Sequence, residues 1–437
     1  MALLARPLLP FFTSAAAPPP LTPSRLRECH HCTQLQVVPP MPPASRAICL
    51  RCDAVLRHTH HDPLGLPLAL NVAALVLFSI AISSTLMQVS RAGQVHIAYL
   101  FSGPIGLENY GMWELAAVVL FATVAAPLAK VSVTTTVLLG AHQQHPPDWL
   151  RGLFAWAERL RPWSMIEVYL LGVFVAFVRL GTEVHIELGA ALYALAALMV
   201  VMVAADYTLD TEAVWDVIGR HRSLALEEHI GAHRPGARRM GCGICRYVTR
   251  TFPGTVCPRC GFPLQARKPN AIARTWALGF AALILYIPAN TYPVLTLTSL
   301  GATTPSTIMG GVRELLDAGM WPLAALVFFA SILVPVMKVI GLTILLVTTQ
   351  TRSRRRLRDR TRLYRIIDNI GRWSMIDIFM GSLLVALLQF GAVVSVRPGP
   401  GAVAFAAVVM LTMLAAQAFD PRLMWDAADV PSGQHGP

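Results

Sequence analysis

Eight apolar blocks, each close to the roughly 20 residues a helix needs to cross a bilayer, set the outer limits of this fold. They run Leu66 to Val89, Trp113 to Leu139, Trp163 to Leu180, Glu187 to Ala205, Thr275 to Leu297, Met320 to Val347, Trp373 to Val396 and Ala402 to Phe419. So many blocks with so few charges argue against the buried hairpins of a large soluble protein, and 55% hydrophobic against 14% charged residues agrees with a membrane chain.

The formal charge of +12 gathers on one side of this ladder. Arg25, Arg27, Arg46, Arg51 and Arg57 precede the first block, Arg220, Arg222, Arg234, Arg238 and Arg239 follow the fourth, and "RSRRRLRDRTRLYR" follows the sixth. The positive-inside rule then places both termini and the two large links in the cytoplasm. Topology accounts for these arginines without nucleic acid, although they also suit anionic lipid headgroups. The opening run is broken by Pro7 and Pro10, so residues 1–24 are expected to form a disordered cytoplasmic lead, not a signal peptide.

The chain repeats itself. "GMWELAAVVLFATVAAPLAK" from Gly111 matches "GMWPLAALVFFASILVPVMK" from Gly319, "RPWSMIEVYL" matches "GRWSMIDIFM", and Asp210 with Trp215 matches Asp420 with Trp425. Each half is a cysteine module and four spans. Four is even, so the halves share one orientation as a parallel repeat.

All eight cysteines lie in C-x-x-C pairs: Cys29, Cys32, Cys49 and Cys52 in the first module, Cys242, Cys245, Cys257 and Cys260 in the second. Two facing knuckles supply four thiolates at the corners of a tetrahedron, the closed structural zinc site of a ribbon. Iron is the lesser option for the same donors. A redox dithiol is the competing chemistry, yet it needs one reactive pair, whereas two pairs recur together in each half.

Only three of the 36 basic residues are lysines, and two of them, Lys130 and Lys338, fall in spans at matching positions, three residues after Pro127 and Pro335. A lysine there costs roughly 2.5 to 3.5 kcal/mol on insertion scales, so it calls for a partner or a path to water. The spacing predicts ion pairs Lys338 with Asp377 and, as repeat counterparts, Lys130 with Glu167; a fixed structural role is the alternative. In the fifth block, Pro288 and Pro293 bracket Asn290 and Thr291 and precede Thr296 and Thr298, which suggests a broken helix lining a polar cleft, or a packed kink. The first half has no such prolines.

These residues resemble the paraquat-inducible protein A family, which includes the LetA-type proteins of Gram-negative bacteria. The resemblance spans Cys29 to Trp425 and rests on the paired modules, "IPANTYPVLTLTSLG", "PVMK" ending at Lys338, and "GRWSMIDIF". It implies an inner-membrane protein that passes phospholipids to or from a periplasmic MCE-domain tunnel partner. Matching positions are the eight cysteines, Pro288, Asn290, Pro293, Lys338, Ser374 and Asp377.

The expected fold is an all-α polytopic membrane protein: two parallel repeats of four transmembrane helices, each preceded by a small cytoplasmic zinc-ribbon-like module. Its expected bounds are module one at 25–62, membrane domain one at 63–215, module two at 216–270, membrane domain two at 271–426 and a tail at 427–437. The expected function is lipid transport through a cleft near Pro288, Asn290, Thr291, Pro293, Thr296, Thr298, Lys338, Ser374 and Asp377. No P-loop motif is present, and no enzymatic activity is expected on this reading. A membrane thiol-disulfide oxidoreductase and a scaffold for the tunnel are the alternatives.

Overall fold

The computed structural model describes residues 26–91, 94–180, 185–219, 238–299, 302–389 and 394–429. The expected lead and the tail beyond residue 429 lie outside them. Among the described residues, eight helices long and apolar enough to cross a membrane follow in order: Gly65–Ser83, Trp113–Ala141, Trp149–Arg179, Ala190–Thr208, Ala271–Thr291, Trp321–Gln350, Leu357–Leu387 and Pro400–Ala418. The chain is therefore a multi-pass membrane protein of two four-span halves.

The span limits expected from hydropathy overrun the helices at one end of the molecule, because the apolar blocks continue there as strands. Met87–Arg91 and Gln94–Ala98 form a hairpin, and His185–Leu188 pairs with the other edge of Met87–Arg91. The second half repeats this sheet with Leu295–Ser299 at its centre, flanked by Ala302–Ser306 and Val394–Pro398. Leu295 faces Ser306 on one side and Pro398 on the other. Short β-branched runs that extend an apolar helix cannot be separated from it by periodicity.

The fifth span corrects the expected broken helix. It stays helical from Ala271 through Pro288 to Thr291, and Asn290 Nδ2 and Thr291 Oγ1 donate back to the carbonyls of Tyr286 (2.8 Å) and Ile287 (3.1 Å). Those polar groups are spent on their own helix. Pro293 follows the helix end, and its carbonyl accepts Gly401 N at 3.1 Å; a Cβ on Gly401 would lie 2.5 Å from Tyr292 O. Glycine thus lets the eighth span start against the end of the fifth. Thr296 and Thr298 lie on the central strand, outside any cleft in the helices.

The prolines before the lysines act differently. A proline in a helix lacks an N–H and crowds the carbonyl four residues back. One π turn, Phe121–Ala125 or Phe329–Leu333, stands just ahead of Pro127 and Pro335 and absorbs that defect in each half.

The two halves meet where the third and seventh spans cross. Repeat counterparts Tyr169 and Phe379 pack edge to face at 5.8 Å, and a Cβ on Gly172 would lie 3.0 Å from Phe379 Cβ. At the end opposite the sheets sit the cysteine modules, built from hairpins Leu26–Glu28 with Leu35–Val37, Arg46–Ile48 with Val55–His58, and Arg238–Gly241 with Val248–Thr251.

The modules are cross-docked. The first module precedes the first half in the chain but shares its core with Leu345, Tyr364, Phe419 and Trp425 of the second half. The second module packs on Val137, Phe154 and Trp215 of the first. Arg51 lies over the Trp425 ring at 4.5 Å and pairs with Asp429 at 2.6 Å; Arg259 pairs with Asp216 and donates to Trp215 O. The N-terminal module thereby ties the chain's beginning to its last span.

Candidate functional site

In each module four thiols converge. Closest sulfur pairs are Cys29 with Cys52 and Cys32 with Cys49, both 3.5 Å, and Cys242 with Cys260 at 3.5 Å and Cys245 with Cys257 at 3.6 Å. All four sulfurs of a module lie within 4.8 Å of one another, and every cysteine is buried. A tetrahedron with metal–sulfur bonds of about 2.3 Å has edges of about 3.8 Å, so the cages fit a tetrathiolate metal ion.

The knuckles explain why the chain makes this shape. Thr33, Asp53, Arg246 and Gly261 each follow the second cysteine of a pair, take φ between 58° and 80°, and donate their N–H to the carbonyl of the first cysteine. Glycine suits that left-handed turn, and three side-chain-bearing residues accept it as well. Neighbouring S–H groups hold one thiol of each cage, Cys29 and Cys242, far below the usual thiol range. A metal bound there would displace the protons of the remaining thiols, because its ligands must be deprotonated. Gln36 Nε2 adds a donor to Cys49 Sγ at 3.0 Å.

Lys338 is 2% exposed, and its ammonium meets three oxygens: Gly371 O at 3.0 Å, Ser374 Oγ at 3.1 Å and Thr412 Oγ1 at 3.3 Å. Ser374 Oγ donates its own hydrogen to Gly371 O, and Thr412 Oγ1 donates to Val409 O, both at 2.9 Å. With their hydrogens committed, both hydroxyls can offer Lys338 only lone pairs. An ammonium has three donors and no acceptor, and it matches this cage donor for acceptor.

The expected ion pairs do not form among the described residues. Asp377 lies one helical turn beyond Ser374, but it lines a cavity of about 60 Å³ and its Oδ1 is buried without a hydrogen-bond partner. Lys130 turns instead to Asp206 on the fourth span at 2.6 Å, leaving Glu167 aside. The repeat explains the divergence: the positions of Thr412 and Ala416 hold Met202 and Asp206 in the first half. One lysine faces neutral oxygens, the other a carboxylate.

The cavity at Asp377 also follows from a broken repeat. Helix Ser102–Asn109 lies flush on the seventh span, where Cβ atoms on Gly103 and Gly106 would meet Ser382 and Ala386 at 3.0 and 3.5 Å. Its counterpart, helix Ile308–Asp317, keeps Gly311 but has Glu314 in place of the second glycine. Glu314 pairs with Arg179 of the third span at 3.0 Å, and both Gly311 and Arg179 line the cavity. At about 60 Å³ it holds a few waters, too little for an acyl chain without opening.

Of the expected cleft, the structure brings together Lys338 and Ser374, with Asp377 one turn away. Pro288, Asn290 and Thr291 stay on the fifth span, Pro293 just past its end, and Thr296 and Thr298 on the sheet. Thr412, Gly371, Arg179 and Asp206 were missed. Asp206 carried a signal, an acid near a span end; Thr412 carried none that separates it from a threonine bonded to its own helix.

The description of the paraquat-inducible protein A family matches residues 64–219 and 272–429. The chain is 31% identical over 414 residues to the intermembrane transport protein PqiA of Escherichia coli strain K12, covering 93% of this chain and 96% of that protein. It is 30% identical over 408 residues to the lipophilic envelope-spanning tunnel protein A of the same strain, covering 92% and 91%. A probable intermembrane transport protein of Haemophilus influenzae is 26% identical over 424 residues, covering 94% and 97%. No solved structure matches. With two matched repeats, each carrying four spans, and a four-cysteine cage ahead of each, the chain belongs to the paraquat-inducible protein A family.

Proposed function

We propose that this protein is an inner-membrane subunit that passes phospholipids to or from a periplasmic MCE-domain tunnel, with zinc in both cages and the modules in the cytoplasm. The described arginine-rich link, the run that includes Arg358, Arg362 and Arg365, lies against the first module, which supports that orientation. The relatives are named for intermembrane transport and for an envelope-spanning tunnel, and the reading carries that role to this chain.

The observation that carries it is the Lys338 cage beside the Asp377 cavity. A buried ammonium held only by neutral oxygens, one turn from a carboxylate oxygen with no partner, is costly to build into a bilayer. Groups of this kind mark substrate or proton pathways. Asp377 faces apolar walls between the two halves, where movement of helix Ile308–Asp317 would open room for an acyl chain.

The thiol-oxidoreductase alternative has less support. Its dithiol would act through the two sulfurs of one C-x-x-C, whereas the shortest approaches here run between knuckles and no thiol is more than 4% exposed.

The test is transfer of a fluorescent phospholipid from proteoliposomes to vesicles bearing the MCE-domain partner. Asp377→Asn keeps the shape and removes the charge, and it is expected to slow transfer by more than about tenfold, about 1.4 kcal/mol in barrier terms. Transfer at the parent rate would remove Asp377 from the mechanism and favour a scaffold.

A further inference from the structure

The arginine run after the sixth span has a use that topology does not require. On helix Leu357–Ile370, Arg358, Arg362 and Arg365 stand at i, i+4 and i+7, one face of the helix. All three reach the second knuckle of the first module. Arg358 Nε donates to Arg51 O at 2.9 Å, and its second nitrogen to Leu50 O at 3.3 Å. Arg362 meets Asp53 Oδ2 at 3.4 Å. Arg365 donates to Cys52 O at 2.6 Å and to Asp53 O at 3.3 Å, and stands 3.7 Å from Cys52 Sγ.

Charge bookkeeping asks for more than the protein supplies. Apart from Arg51, which Asp429 offsets, three guanidinium groups converge on a knuckle with one carboxylate, Asp53. Four thiolates around a divalent ion carry two further negative charges, which completes the balance. The clasp is specific to this cage: the repeat counterparts of the three arginines are Asp148, just ahead of the helix Trp149–Leu160 that meets the second module, and Gly152 and Ala155 on it.

The clasped helix leads straight to the lysine cage. Six residues after Arg365, about 9 Å at 1.5 Å per residue, comes Gly371, whose carbonyl accepts from Lys338; Ser374 follows in the same 3-10 turn, Gly371–Met375. One rigid element thus joins the first cage to the buried amine.

We infer that the first metal centre is a positioning device for the Lys338 cage: the arginine face of Leu357–Ile370 grips the metal-loaded knuckle, and emptying that centre releases Gly371 and Ser374 from Lys338. The functional meaning rests on the transport reading, but the coupling itself is tested without transport. Metal supply or loss on the module side would then switch the membrane site, through one half only.

The experiment is hydrogen exchange on the detergent-purified full-length chain, with thiol alkylation mapped by peptide to tell the two cages apart. Chelation of the parent protein is expected to raise exchange across residues 366–376 and to leave 156–166, the first-half counterpart, with a smaller change. The triple variant Arg358→Ala, Arg362→Ala, Arg365→Ala is expected to raise exchange across 366–376 with metal still bound. It should also speed chelator-driven alkylation of Cys29, Cys32, Cys49 and Cys52 by about tenfold, with Cys242, Cys245, Cys257 and Cys260 at the parent rate as an internal control for folding. Arg365→Lys, which keeps the charge but loses the forked reach, is expected to fall between the two. Unchanged exchange across 366–376, equal change in both halves, or joint loss of both metals would each overturn the inference. Asp377→Asn, outside the clasp, should exchange like the parent; if transport fails in every chain while the coupling holds, the transport reading falls and this one stands.

Discussion

Cys257→Ser will cost the protein one of two metal equivalents and will open the second module, exposing Cys242, Cys245 and Cys260 to alkylation. Three thiolates do not close a tetrahedral structural site, and a metal held there would contribute much of the module's folding free energy, about 10 kcal/mol or more in small tetrahedral zinc modules. Among its described residues the module otherwise has one short hairpin, one isolated bridge, the ties of Arg259, and cysteines that themselves form part of its apolar contact with Val137, Phe154 and Trp215. Its loss should strip the cover from Trp215 and lower the unfolding temperature of the first half. Acidification should act in the same direction, because ligand thiolates must be deprotonated and protons compete for them as pH falls. Metal analysis with a free-thiol count checks both. Metal-free parent protein carrying reversible disulfides would contradict the structural reading of the cages.

Lys338→Met will abolish transport without lowering stability. Methionine fills nearly the same volume with no charge, and replacing a buried charge by an apolar isostere is often neutral or stabilising. Ser374 and Thr412 keep their own hydrogens on Gly371 O and Val409 O, so removing the amine strands no hydroxyl donor. Lys338→Ala should be inactive too, but it should cost about 2–4 kcal/mol for the cavity it leaves. The comparison separates chemistry from packing. A stable, active Lys338→Met would reduce the amine to an ornament of the fold; an unstable one would make it structural.

The eight spans and the repeat were legible because lipid imposes length and apolarity on each helix, whatever its neighbours. The cysteine cages were legible because ligand spacing survives in the sequence. Side-chain direction was not. The spacing suggested that Lys338 and Asp377 on neighbouring spans would pair, yet the lysine points to Ser374 and Thr412 and the acid to the cavity; choosing among oxygens of similar reach takes the packed structure. The two sheets hid in the apolar blocks, since "LTLTS" continues a span in hydropathy while its β-branched residues leave it. Cross-docking of the modules was not legible either. It depends on Arg51 meeting Trp425 and Asp429, nearly the full chain apart in sequence.

The measurement that bears most directly on the account is photo-cross-linking from the cavity wall. Phe405 is 2% exposed and lines the Asp377 cavity, while Phe280 on the fifth span is 55% exposed on the outer surface of the bundle. With p-benzoyl-phenylalanine in place of Phe405, a phospholipid adduct is expected by mass spectrometry during active transfer, and a weaker one when Asp377→Asn blocks it. Lipid adducts from position 280 alone, with transfer intact and position 405 joined only to protein, would contradict a path through this cavity.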